Sequence, residues 1–473
     1  MSTAPFKLDA QFASELPEMA APWHGEDAPD PELVILNEDL AHLLGLDPGW
    51  LRSEDGIQFL LGLNPEPLTK SVAQAYSGHQ FGQFVPSLGD GRALLLGEAH
   101  STDGVLRDIH LKGAGRTQFS RGADGRATLG PILREYIISE AMHALGVPTT
   151  RSLAVLTTGR KIQRGTVVPG AILVRVATSH IRVGSFQYSN IAGGIELSTQ
   201  LANYAITRHF PELAQSLENP TPELYVSFFR SVLKRQASTV AKWTRLGFVH
   251  GVLNTDNTLI SGETIDYGPC AFMERFRKDA KFSSIDNHGR YKFENQPLIL
   301  GWNMARLVET LLPLLGPTPD EAMTAAHEAL GEFDDLCSAA IRQEFGQALG
   351  LDPDLEIIDD FQELLYRHNP DITTLLRSLT DNTAPPAGFE SFAHTWKSLN
   401  PDTEAMSKVN PIFIPRNHLV EDALANAVDG DFEKFHELLA AVTDPFNPTA
   451  GSNELRLPST EGFEEDYMTF CGT

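Results

Sequence analysis

The apolar pattern changes period once along this chain, near Gly184, and that switch restricts the folds open to it. Between Tyr76 and about Ala177, Gly-rich turns alternate with short apolar runs at Ala93–Gly97, Ile109–Leu111, Ser152–Thr157 and Ala171–Ala177. Runs of this length between turn residues predict strands. One helix interrupts them. Pro131 stands where a first-turn proline is tolerated, because its missing N–H would have had no partner. Ile132, Leu133, Tyr136, Ile137, Met142 and Leu145 then form a helical stripe, which Gly146 and Pro148 end. Beyond Gly184 the periodicity is helical over Leu197–Phe210, Pro222–Leu246, Trp302–Leu315, Thr318–Phe345 and Val420–Val442. The expectation is an α+β, two-lobed chain. Residues 1–70 are an extension laid over the core, 71–183 a strand-rich N-lobe and 184–473 a mostly helical C-lobe, with ligands bound in the cleft between lobes.

Charge limits the partners. The 473 residues include 37 Lys and Arg against 62 Asp and Glu, a net charge of -25. Such a surface repels nucleic acid and anionic membrane as general partners, and it hints at basic patches on protein targets. The N-terminus lacks the basic and apolar regions of a secretory leader, and no apolar run approaches the ~20 residues of a membrane span. A cytoplasmic location is expected. Three cysteines, Cys270, Cys337 and Cys471, are too few and too scattered for a disulfide framework or a zinc ribbon.

Four groups of residues carry chemistry. Gly89-Asp90-Gly91-Arg92 precedes a strand, a setting in which glycine lets backbone N–H groups approach phosphate, although a plain hairpin turn has the same composition. Lys112 closes the next strand, and Glu135 lies on the following helix. A strand lysine held by a helix glutamate is the device by which protein kinases grip phosphates. The third group, His250-Gly251-Val252-Leu253-Asn254-Thr255-Asp256-Asn257, is followed by Asp266-Tyr267-Gly268. His250, Leu253 and Asn257 fall in register with the kinase pattern H-R-D-L-x-x-x-N, and Asp266-Tyr267-Gly268 stands for D-F-G. Leu259, Ile260 and Ile265 predict a β-hairpin between them, across which Asn257 and Asp266 would offer oxygens to Mg²⁺. Val252, however, occupies the position of the kinase base, and valine accepts no proton. Asp256 is the nearest replacement carboxylate. The fourth group is Arg175 and Arg182, which would supply an anion site beyond what a kinase requires, since arginine binds phosphate bidentately, although partnering of local carboxylates would explain the pair as well.

Taken with Tyr76–Gly82, His110–Thr117, Gly289-Arg290-Tyr291, Asn295-Gln296-Pro297 and Pro415–His418, these residues resemble the selenoprotein O family from about Tyr76 to the C-terminus. The resemblance implies a two-lobed protein-kinase-like fold and transfer of AMP from ATP, bound in reversed orientation, to Ser, Thr or Tyr hydroxyls of proteins. It implies nucleotide contacts at Gly89, Gly91, Arg92, Lys112, Asp124, Gly125, Arg175 and Arg182. It also implies Asn257 and Asp266 as ligands of Mg²⁺ or Mn²⁺, and Asp256 as the base. UMP transfer from UTP with Mn²⁺, a non-catalytic ATP-binding scaffold and a conventional kinase are the alternatives. A monomer is expected. Relatives join a C-terminal cysteine to one in the activation segment; the matching place here, around Phe282, holds no cysteine, which leaves nearby Cys270 as the candidate redox partner of Cys471. A buried Cys270 beside a mobile tail thiol is the competing expectation.

Overall fold

The computed structural model describes residues 6–63 and 70–470. Among these residues ten strands lead up to the helical part: β1 (Ala20–Pro22), β2 (Glu32–Leu36), β3 (Val72–Gln74), β4 (Gly78–Gln80), β5 (Gln83–Val85), β6 (Ala93–His100), β7 (Leu106–Lys112), β8 (Ala127–Thr128), β9 (Arg151–Arg164) and β10 (Thr166–Ala177). Eight of them form one antiparallel sheet in the order β1-β3-β6-β7-β10-β9-β2, with β8 paired to β10, while β4 and β5 form a separate hairpin. All four predicted strands are present and extend further than their apolar runs. The polar ends of β9 and β10 pair with each other beyond the covered part of the sheet, from Thr166↔Arg164 to Pro169↔Lys161.

Side chains alternate across a strand, so each strand serves two layers. Leu94, Leu96, Ile109, Leu111, Leu153, Leu156 and Val174 face one side and pack on Leu40, Leu44, Trp50, Phe59 and Leu60. Those partners come from the short helices α2 (Glu38–Leu43, capped by Leu44), α3 (Pro48–Leu51) and α4 (Glu54–Leu60), which follow α1 (Gln11–Glu15). The N-terminal segment is therefore more than an overlay. It supplies both edge strands, β1 and β2, and closes one face of the sheet. On the other face Leu95, Val155 and Leu173 pack on Ile132, Leu133, Tyr136 and Ile137 of α5 (Leu129–Ala144). Gly146 ends α5 with φ +76°, as its position after the apolar stripe predicts.

The same core runs on into the helices α6 (Val183–His209), α7 (Pro211–Ala214), α8 (Pro222–Leu246), α9 (Gln296–Leu311), α10 (Pro319–Gly331) and α11 (Phe333–Leu349). The helix predicted from Leu197 starts at Val183, because its first turns bury Gly184, Ser185, Gln187 and Ser189 rather than an apolar stripe, and Gly194 kinks it. Two predicted long helices are each a pair. Thr318–Phe345 is interrupted at Glu332, and Val420–Val442 at Gly430, whose φ is +97°. Among the described residues no helix is long and apolar enough to cross a membrane.

Leu60 is fully buried between α4 and the sheet. Leu60→Ala is expected to lower unfolding stability by about 2–5 kcal/mol, read as a lower urea midpoint. An unchanged midpoint would show that the N-terminal helices are not part of the cooperative core.

Candidate active site

Period-2 alternation on β7 puts Asp108, His110 and Lys112 on the α5 side of the sheet while Ile109 and Leu111 enter the opposite core. Lys112 Nζ bonds the Glu135 carboxylate of α5 and lies 2.6 Å from Asp266 Oδ1. Arg175 stands opposite His110 in the β7–β10 register. Its Nη1 reaches Glu135 Oε1 at 3.2 Å, and its Nε donates to His110 Nδ1 at 3.3 Å. That donation leaves the His110 proton on Nε2, which donates to Asp90 Oδ2 at 3.0 Å. Burial lowers the His110 pKa, so the ring is neutral. Burial alone would raise the Asp266 pKa, but Lys112, Arg92 and Arg175 outweigh it and hold the carboxyl well below the usual range. Asp266 has φ +67°, which a non-glycine residue rarely adopts.

These groups line a cleft of about 420 Å³. Gly89, Gly91, Arg92, Lys112, Asp124, Gly125, Arg175, Arg182, Asp256, Asn257 and Asp266 all reach it, with Glu135 behind Lys112. Arg182 stands at the start of α6, its guanidinium 4.4 Å from the centre of the Tyr76 ring and 3.9 Å from Asp90 Oδ1. Its Nη1 donates to the Asp256 carbonyl at 2.6 Å. Asp256 Oδ2 accepts from Gln80 Nε2 at 3.2 Å, while Oδ1 is buried and has no partner among the described residues. Burial pushes the Asp256 carboxyl up to about 6, against the opposing influence of Arg182 and Gln80. Val252 lines the same wall, and its carbonyl accepts from Asn257 Nδ2 at 3.0 Å.

Several positions differ from expectation. The hairpin between Asn257 and Asp266 is absent. Leu259 bridges to Arg182 and Thr264 to Thr149, so this loop pairs with neighbouring segments rather than with itself. Its apolar residues Leu259, Ile260 and Ile265 are at most 1% exposed, and core burial explains the pattern that suggested strands. A Cβ on Gly89 would overlap the ring of Phe119, so glycine makes room there for a side chain. Gly125, at φ +68°, lies against the Gly115 carbonyl. The Asp124 carboxylate holds Arg164 Nη2 at 2.7 Å, adding an arginine to the rim that the sequence motifs did not indicate. His110, Asp90 and Gln80 also went unassigned. For His110 the available signal was its position two residues before Lys112, on the same face of one strand. Cys270 is a buried thiol pushed up to about 12 by burial, which suppresses thiolate chemistry in this conformation. Cys471 lies outside the described residues.

The donors suit a divalent ion that also takes oxygens from its substrate. Among the described residues no group of three His, Cys, Asp or Glu side chains forms a metal cage. Asn257 uses its amide nitrogen on Val252, which leaves its oxygen available, and Asp266 Oδ2 faces that amide at 3.5 Å. One carboxylate and one amide oxygen match Mg²⁺, which takes few protein ligands and completes its shell with phosphates and water.

An α+β protein with a basic cleft and two adjoining oxygen donors belongs to the phosphate-handling proteins. The family model described as protein adenylyltransferase SelO matches residues 6–443, and the chain belongs to that family. Among its relatives is a protein nucleotidyltransferase YdiU of Corynebacterium glutamicum, 80% identical over the whole of both chains. Another of that name, from Corynebacterium efficiens, is 65% identical over all of this chain and 97% of the relative. One from Mycobacterium sp. is 50% identical over 98% of this chain and 99% of the relative.

Because the folded-state pKa of Asp256, about 6, lies above its ordinary 3.8, the native state loses stability as pH rises past 3.8, and the loss is complete above about 6. The difference corresponds to about 3 kcal/mol. Asp256→Asn is expected to be more stable than the parent at pH 8 by up to that amount, with the gain vanishing below the unfolded pKa. Urea unfolding across this pH range checks it, and a gain independent of pH would contradict it.

Proposed function

We propose that this chain is a protein nucleotidyltransferase that moves AMP from ATP to Ser, Thr or Tyr hydroxyls of target proteins and releases pyrophosphate. The observation that carries this reading is the pairing of Val252 with Asp256. The kinase base is missing, and four residues on stands a buried carboxylate with one free oxygen. Its pKa near 6 suits a base working close to neutrality.

In this reading the acceptor hydroxyl gives its proton to Asp256 Oδ1 as its oxygen attacks the α-phosphorus. The bond to the β-phosphate breaks, and pyrophosphate departs with the electron pair. Lys112, Arg175, Arg182 and Arg92 hold the outer phosphates, and placing these deep in the cleft brings the α-phosphorus toward Asp256, reversed from a kinase. Gly89, Gly91, Asp124 and Gly125 complete the nucleotide contacts. Asn257 and Asp266 would hold Mg²⁺ or Mn²⁺, whose charge neutralises phosphate oxygens when bound. Glu135 keeps Lys112 aimed. Positioning and charge stabilisation supply most of the rate in such transfers, so a cleft without the kinase aspartate remains competent. We read the fold as two kinase-like lobes, 71–183 and 184–473, and the need for ATP suits a cytoplasmic setting.

Incubation with ATP labelled at the α or the γ position tests this directly. Protein is expected to take up α label only, with the rate falling by about 10²–10⁴-fold in Asp256→Asn. Lys112→Ala and Asp266→Ala are expected to lose transfer as well. Label from the γ position would establish a kinase, and thermal stabilisation by ATP without label a binding scaffold. α label from UTP with Mn²⁺ in preference to ATP would reassign the nucleotide.

A further inference from the structure

Arg290, within a motif to which the transfer chemistry gives no role, lies against the β4–β5 turn, whose residues Gln80 and Phe81 line the cleft. Its guanidinium sits 4.8 Å from the centre of the Trp302 ring and 5.7 Å from that of Tyr291. Among the described residues no carboxylate pairs with it, and its Nε is buried without a partner. The nearby carboxylate of Asp286 is engaged by backbone, accepting from Arg290 N at 2.9 Å and Tyr291 N at 2.8 Å. Arg306 lies 5.0 Å from the same Trp302 ring but is tied to Glu309 at 2.6 Å. In a chain of charge -25, an arginine held on an aromatic ring, with no acid to meet among the described residues, is able to pair with an incoming anion.

The place of that arginine relative to Asp256 is fixed by the β4–β5 hairpin. Gln80, ending β4, holds Asp256 Oδ2 at 3.2 Å. The next two residues form the turn, and a Cβ on Gly82 would stand 3.6 Å from the Arg290 guanidinium carbon. Phe81 between them has φ +51°, a strained conformation for a bulky residue. Its N–H donates to Asn254 Oδ1 at 3.1 Å and to the Tyr291 hydroxyl at 3.0 Å, which pins the turn against the cleft wall. Phe84 on β5 is 43% exposed, and Ile285 on the cleft lining is 45% exposed. Strained turn, exposed aromatic and unpaired arginine thus adjoin the wall that carries Asp256, and a protein segment delivering a hydroxyl there can lie across them.

We infer that the rim formed by the β4–β5 turn, Trp302 and Arg290 is the docking subsite for the acceptor protein, and that it takes an acidic segment whose Asp or Glu pairs with Arg290. A carboxylate within about three residues of the hydroxyl lies within ~10 Å along an extended chain. The overall negative charge does not oppose this, because at physiological ionic strength it is screened beyond about 8 Å and the contact pair decides. The subsite rests on the transferase reading above and adds the class of acceptor to it.

Two fluorescent synthetic peptides, one with serine flanked by glutamates and one with glutamines in their place, are titrated against the full-length protein by anisotropy. The glutamate peptide is expected to bind about fivefold tighter. Arg290→Gln is expected to equalise the two while keeping the parent melting temperature, and Arg290→Lys to retain part of the difference. Equal affinities for the parent protein, a difference that survives Arg290→Gln, or no binding of the glutamate peptide would each overturn the subsite. α-Label transfer to the peptides separates this from the parent reading. Transfer with equal affinities strikes the subsite alone, whereas an Arg290-dependent affinity difference without transfer supports the subsite and strikes the transferase.

Discussion

One ammonium group enclosed by two carboxylates organises this molecule. Lys112 comes from a central strand, Glu135 from the helix packed on the sheet, and Asp266 from the loop that follows the His250–Asn257 motif. An ion removed from water loses several kcal/mol of solvation, which only close opposite charge offsets. The three elements are therefore locked in relative position, since withdrawing any one of them strands a buried charge.

Around that centre the charges are arranged in two unlike ways. Arg175 is oriented by the neutral ring of His110 and by Glu135, and His110 in turn by Asp90. Each cation is braced from behind, so its side chain needs little reordering to meet phosphate. Asp256 is the opposite case. Its carboxyl has one weak side-chain partner and one empty oxygen, and burial leaves it prone to hold a proton. Braced cations next to an underpaired carboxylate divide the cleft into a part that binds and a part that can accept a proton.

Much of this was legible in the residues. Strand runs, the α5 stripe with its Gly146 stop, and Pro222–Leu246 appear where the periodicity put them. Lys112, Glu135, Asn257 and Asp266 are brought together as their motifs implied. Misreadings came where two causes write the same pattern. Apolar residues between Asn257 and Asp266 indicated a hairpin but are buried singly in a bridged loop. The first turns of α6 were missed because small polar residues fill its tight contacts. Edge strands β1 and β2 are three and five residues long, too short to show a period.

Local chemistry, then, determined which residue types were available: a strand lysine, a helix glutamate, an amide and a carboxylate able to offer oxygens, and a valine that accepts no proton. Such facts depend on side-chain identity and short-range spacing, which a linear sequence carries in full. Only the tertiary structure decided that Asp124 holds Arg164, that Gln80 reaches Asp256 and that Arg290 meets Trp302 rather than an acid. Those pairs are separated by 40, 176 and 12 positions, and folding alone sets distances between residues so far apart on the chain.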